Sequence, residues 1–240
     1  MKNVLLVGFL LFLVSCGTPT PAVEPSPPTP TELAVEPTVV VADVAPTAAP
    51  ADPTAVAAEP AAVRVFEIDS AQSSAAYAVE EIFFSDNRLF TAVGLTNAVE
   101  GAFEVTSNGK PSGKVTRIRV DLRTLKSDSP RRDRAIRRQW LESDKYPYAD
   151  FVSTGALNLP ESYTEGAQVT FTLVGDMTVR DVTKPVEWTV VGTLQGNAVT
   201  GEAKTVIKMS DFGFDAPDIF GVLKAEDEAA LTVTFVATEK

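Results

Sequence analysis

Apolar and polar residues alternate with a period of two along much of the chain. Val169, Phe171 and Leu173 alternate with Thr170, Thr172 and Val174, and Val186, Trp188 and Val190 with Glu187, Thr189 and Val191. Leu231, Val233 and Phe235 repeat the pattern against Thr232, Thr234 and Val236, as do Ile118, Val120 and Leu122 against Arg117, Arg119 and Asp121. A period of two sends successive side chains to opposite faces of a strand, so each run predicts a strand with one face on a core. Phe151-Val152-Ser153-Thr154 opens another. Gly196-Asn197 predicts a two-residue hairpin, Ser107-Asn108-Gly109 a turn, and residues 180–185 the turn between the Phe171 and Trp188 strands. Residues 130–141 break the rhythm: Ile136 and Trp140 are four apart and share a helical face. Ser129 is placed as N-cap, Pro130 at the first helical position and Asp133 in the first turn, and Pro147 ends any helical run. The pattern describes an all-β domain with one short helix, and spacing alone allows a sandwich or a barrel.

Composition divides the chain. Residues 18–62 hold eleven of the seventeen prolines, six acids, no base and no aromatic residue. Such a segment buries too little to offset its ordering entropy and predicts an extended, partly polyproline tether. Before it, Lys2 precedes an apolar run over residues 4–14 that is too short to span a bilayer but suits a signal peptide. The run ends in Leu13-Val14-Ser15-Cys16-Gly17, which resembles the bacterial lipobox. The expected organisation is a signal peptide over residues 1–15, a lipid-anchored linker over 16–62, and one folded domain over 63–240. Cys16 would carry a diacylglycerol thioether and an amino-terminal acyl chain such as palmitate, because two or more chains give stable anchoring. The expected location is the extracytoplasmic side of a cell-envelope membrane.

The folded part has 20 Lys+Arg against 26 Asp+Glu, a net charge of −6, which argues against general nucleic-acid binding. The chain has no histidine, and its single cysteine lies outside the domain. Ser-His-Asp chemistry, histidine metal sites and zinc-thiolate clusters are therefore excluded. Residues 109–115 look like a phosphate loop, but only three residues separate Gly109 from Gly113, and Val115 stands where Ser or Thr must hold magnesium. Carboxylates are plentiful at Glu80, Glu81, Asp144, Asp150, Asp211, Asp215 and Asp218, yet nothing in their spacing brings two together. No enzyme, cofactor or metal is expected.

Three blocks then carry a family resemblance. Arg132-Asp133, Tyr146-Pro147 and Phe151-Val152-Ser153-Thr154 form the first, Gly175 through Val186 (GDMTVRDVTKPV) the second, and Ser210-Asp211-Phe212-Gly213-Phe214 the third. Together they resemble the YceI-like lipid-binding proteins over residues 66–237. Glu80 and Glu81 stand where family members often carry histidine, and Asp181 replaces the usual glycine of the hairpin. The resemblance implies an eight-stranded antiparallel, lipocalin-like β-barrel, a closure that removes exposed sheet edges. It also implies a polyisoprenoid or other lipid chain along the interior. Phe103, Phe151, Phe171, Leu173, Met177, Trp188 and Phe235 are the candidate lumen residues, either lining a ligand or simply filling the core. Phe83, Phe84, Phe90, Phe212, Phe214 and Phe220 lie in turn-rich stretches and read as mouth residues or end plugs. Arg131, Arg134 and Arg138 line a separate helix face, as solvated partners of local acids or as headgroup contacts. Three functions stay open: an anchored lipoprotein binding an apolar chain, a solidly packed interaction module of the envelope, and a glycan-acting enzyme with paired carboxylates.

Overall fold

The computed structural model describes residues 62–106, 111–161 and 163–240. The expected signal peptide, Cys16, nearly all of the expected linker, and the predicted Ser107-Asn108-Gly109 turn lie outside the described residues. The strands in chain order are β1 (Val63–Ile68), β2 (Ser74–Phe83), β3 (Arg88–Thr96), β4 (Val99–Thr106), β5 (Pro111–Asp121) and β6 (Lys126–Ser127). After helix α1 (Pro130–Ala135) come β7 (Tyr148–Leu157), β8 (Gln168–Val179), β9 (Val182–Gln195), β10 (Ala198–Lys208), β11 (Asp218–Ile219) and β12 (Leu223–Glu239). Eight of them close an antiparallel ring in the order β1-β4-β5-β7-β8-β9-β10-β12 and back to β1. The barrel expected from the resemblance is the observed fold.

Closure depends on β12, whose 17 residues outrun any one neighbour. One edge pairs β10 from Glu228 to Thr238 and β11 at Leu223 and Lys224. On the other edge Leu223–Thr234 pair with β2, and Ala237–Glu239 pair with β1. The β2–β3 hairpin therefore continues the wall where β1 stops, and β3 meets β6 only through Gly94 and Leu95.

The local patterns have visible causes. Gly196 and Asn197 form the two-residue turn from β9 to β10, with Gly196 at φ 60°. The turn expected over residues 180–185 is shorter: Arg180 and Asp181 alone make it, with Arg180 at φ 58°, and the ladder resumes at Val182–Val179. Pro185 is consequently a strand residue. It is tolerated because β10 pairs β9 only from Thr189 onward, so no second ladder needs the missing N–H.

The helix begins as expected, with Ser129 Oγ accepting from the Arg132 N–H. It does not stay α-helical to residue 141. After Ala135 the coil widens into a π-helical turn over Ile136–Trp140, closed by Leu141 N–H to Ile136 O at 2.9 Å, and Glu142 at φ 46° stops it before Pro147. Asp133 does more than complement the helix end, since it accepts from both Ser127 N (2.8 Å) and Ser127 Oγ (2.6 Å), fixing the entry from β6.

Candidate ligand cavity

Alternation sends the large side chains of β7, β8, β9 and β12 inward, and they do not fill the interior. A cavity of about 380 Å³ lies between the barrel wall, the β2–β3 hairpin and the helical segment, and a second of about 130 Å³ lies deeper along the barrel. The larger falls within the volume range usual for small-molecule sites. Ile118, Phe151, Trp188 and Val233 border both cavities and form the wall between them. Phe151 and Trp188 meet edge to face there, with centroids 6.0 Å apart. Gly175 allows that placement, because a Cβ on it would come within 2.5 Å of the Phe151 ring.

All seven lumen residues named from the sequence border these spaces. Phe151 and Trp188 touch both, Met177 the larger, and Phe103, Phe171, Leu173 and Phe235 the smaller. The turn-region phenylalanines separate into four kinds. Phe83 and Phe214 line the larger cavity, while Phe212 is fully packed at 1% exposure. Phe90 lies beneath the Arg132 and Arg88 guanidinium groups. Phe84 and Phe220 point to solvent.

Several lining residues escaped the sequence reading. Tyr77 of β2 and Ile136, Trp140 and Leu141 of the helical segment border the larger cavity. The signal for Tyr77 was present: Ala75, Tyr77, Val79, Glu81 and Phe83 alternate, but the glutamate interrupts the apolar series. Glu81 is only 5% exposed and takes a hydrogen bond from Arg132 Nη2 at 3.0 Å. This pair joins β2 to α1 across 51 positions of sequence. Arg132 also contacts Asp128, and although burial opposes its charge, these carboxylates keep its pKa raised.

Two polar atoms at the cavities lack partners among the described residues: the Tyr77 hydroxyl and the Trp188 indole N–H. Burial raises the Tyr77 pKa, so the hydroxyl stays neutral and available as a donor. Of the seven carboxylates considered as acid–base candidates, Glu81 and Asp150 border the larger cavity. Each is engaged by an arginine, Asp150 by Arg119 Nε and Nη2 at 2.7 and 2.8 Å. The helix-face arginines depart from the simplest expectation: Arg132 is the one ion-paired with acids, and Arg131, Arg134 and Arg138 show no carboxylate partner among the described residues.

The family model described as the YceI-like domain matches residues 66–237. A UPF0312 protein of Yersinia enterocolitica is 29% identical over 147 residues, covering 58% of this chain and 71% of that protein. A UPF0312 protein of Pseudomonas putida strain GB-1 is 32% identical over 113 residues, and the match spans 43% of this chain and only 55% of the relative. Among solved structures, Burkholderia cenocepacia BcnA aligns with a TM-score of 0.55 at 17% identity, covering 71% of this chain and 99% of BcnA. A polyisoprenoid-binding domain from Saccharophagus degradans, implicated in plant cell wall breakdown, aligns with a TM-score of 0.56 at 10% identity over 73% of this chain and 98% of that domain. At such identities the structural likeness establishes the fold, and the family match covers nearly all of the barrel. This chain belongs to the YceI-like family.

Proposed function

We propose that the barrel binds and carries a single apolar chain, a polyisoprenoid or a similar lipid, with no chemical step. The supporting observation is the larger cavity, bounded by Val79, Leu122, Phe151, Met177, Trp188 and Leu231 and carrying few polar atoms. Each methylene moved from water into such a space contributes about 0.8 kcal/mol, so a few isoprene units offset the cost of association. The neutral Tyr77 hydroxyl and the Trp188 N–H would receive a carbonyl, ether or phosphate oxygen on the same ligand. The Saccharophagus domain's described ligand class supports the polyisoprenoid reading. The sequence around Cys16 supports the rest: a lipoprotein held on the extracytoplasmic face of a membrane, with residues 16–62 as spacer and 63–240 as carrier.

Native mass spectrometry of the protein from several expression hosts tests the carrier reading. A co-purified lipid-sized mass, displaced by added polyprenol with a shift in tryptophan emission, is the expected result. Clean ligand-free spectra from every host, with no response to polyprenol or fatty acid, would leave a closed interaction module instead.

A further inference from the structure

The lining of the larger cavity reaches the surface at one end of the barrel, through exposed Ile219, Val222 and Arg131. Two hairpin tips meet there, with Phe84 N–H donating to Val222 O at 3.0 Å. These tips carry a concentration of exposed apolar surface: Phe220 is 98% exposed, Leu89 70%, Phe84 50% and Val222 47%. Scattered apolar residues need no explanation, but a group around a cavity mouth marks an interaction site. The helical segment borders the same mouth. Arg132 lies 5.4 Å over the Phe90 ring, Phe90 packs on Phe83, and Phe83 precedes Phe84. Arg131, Arg134 and Arg138 of this segment are exposed and have no carboxylate partner among the described residues, in a domain of net charge −6. The acids of the tips are Asp86, drawn to Arg88 at 3.4 Å, and Asp218.

We propose that this end of the barrel docks on a bilayer containing anionic lipids, with Phe84, Phe220 and Val222 entering the interface and the free arginines meeting phosphate headgroups. A bilayer is the occupant that matches both halves of the surface. An apolar chain leaving through this mouth into water would expose all the surface it had buried, so the exit has to face an apolar phase. Unpaired arginines beside that exit complement the negative potential of anionic lipid. The inference draws its purpose from the carrier reading, but docking is measured separately from ligand binding.

Cys16 is the single cysteine, so the full chain with Cys16→Ser accepts one environment-sensitive thiol dye at a chosen site. Phe220→Cys places it at the mouth. Asn197→Cys places it at the far end, because β12 starts beside the tips at Leu223 and pairs Thr238 with Ala198. On vesicles of equal phosphatidylcholine and phosphatidylglycerol, the dye at 220 should shift to the blue and brighten several-fold while that at 197 stays unchanged. Whichever way residues 1–15 partition, the two probes read which end of the barrel touches lipid. Arg131→Gln with Arg134→Gln should cut the inserted fraction roughly tenfold at limiting lipid. Equal responses at both ends, no response at 220, or a response identical on pure phosphatidylcholine and indifferent to the arginines would overturn the proposal. Polyprenol binding by the same variants without vesicles is read in parallel, so loss of docking and loss of the carrier function are told apart.

Discussion

Single atoms at the cavity carry consequences for stability. The Tyr77 hydroxyl is buried without a partner among the described residues, and such a group retains its desolvation cost without the return of a hydrogen bond. Tyr77→Phe should therefore raise the stability of the ligand-free protein by roughly 1 kcal/mol, measured by urea unfolding. A loss of that size would mean that the hydroxyl is satisfied by a tightly held water or ligand. The same change should weaken an oxygen-bearing ligand while leaving a pure hydrocarbon unaffected. Tyr77 also explains Gly94 on the adjacent strand, where a Cβ would fall 2.1 Å from the tyrosine ring.

At the scale of elements, two polar ties hold the non-sheet segments against the barrel. Glu81 and Arg132 fasten α1 to β2 in a largely buried pair. Glu81→Ala leaves the guanidinium buried with only Asp128 beside it, and should cost about 2–3 kcal/mol by denaturant unfolding. Arg137→Ala and Arg138→Ala, which break no ion pair among the described residues, should each stay within about 0.5 kcal/mol. The second tie sits at the irregularity of β12 between Ala225 and Ala229, where Asp227 accepts from Ser210 Oγ (2.6 Å) and Ser210 N (2.9 Å). It fixes the short turn that buries Phe212. The Ser210 hydroxyl, then its N–H, holds the Asp227 carboxyl below its ordinary pKa. A depressed carboxylate pKa stabilises fully above the ordinary value and loses that contribution as pH falls through the lowered one. Asp227→Asn should thus flatten the acid limb of the Tm–pH curve, and an unchanged limb would show that other carboxylates control it.

At the scale of the whole molecule, Trp188 and Phe151 divide the interior. Trp188→Ala takes the indole out of that wall and should join the cavities of about 380 and 130 Å³. The lost packing should cost about 3 kcal/mol, and preference within a polyprenol series should move toward longer chains. Phe66, at 0% exposure and bordering neither cavity, is the control. Its truncation should cost about 3–5 kcal/mol and leave the chain-length preference where it was. A preference unchanged by Trp188→Ala would place the ligand elsewhere on the protein.

Much of this architecture was legible along the chain because a strand's faces depend on parity alone. Phe171, Trp188, Val233 and Phe235 could be assigned inward from their neighbours, the Gly196-Asn197 turn from its backbone demands, and the start of α1 from Ser129 and Pro130. The turn at Arg180-Asp181 was overextended because Pro185 reads as a breaker unless β10 is known to pair only later residues. The π-helical turn at Ile136–Trp140 was likewise invisible, since its residues suit an ordinary helix. Tertiary structure decided which pairs met across long separations: Glu81 with Arg132, the two hairpin tips, and the arginines with the cavity mouth. It also decided that the inward rings leave space. Alternation specifies the direction of a side chain, whereas an empty volume depends on how far apart the facing strands are held, and only ring closure with the β2–β3 hairpin and helical segment in place sets that distance.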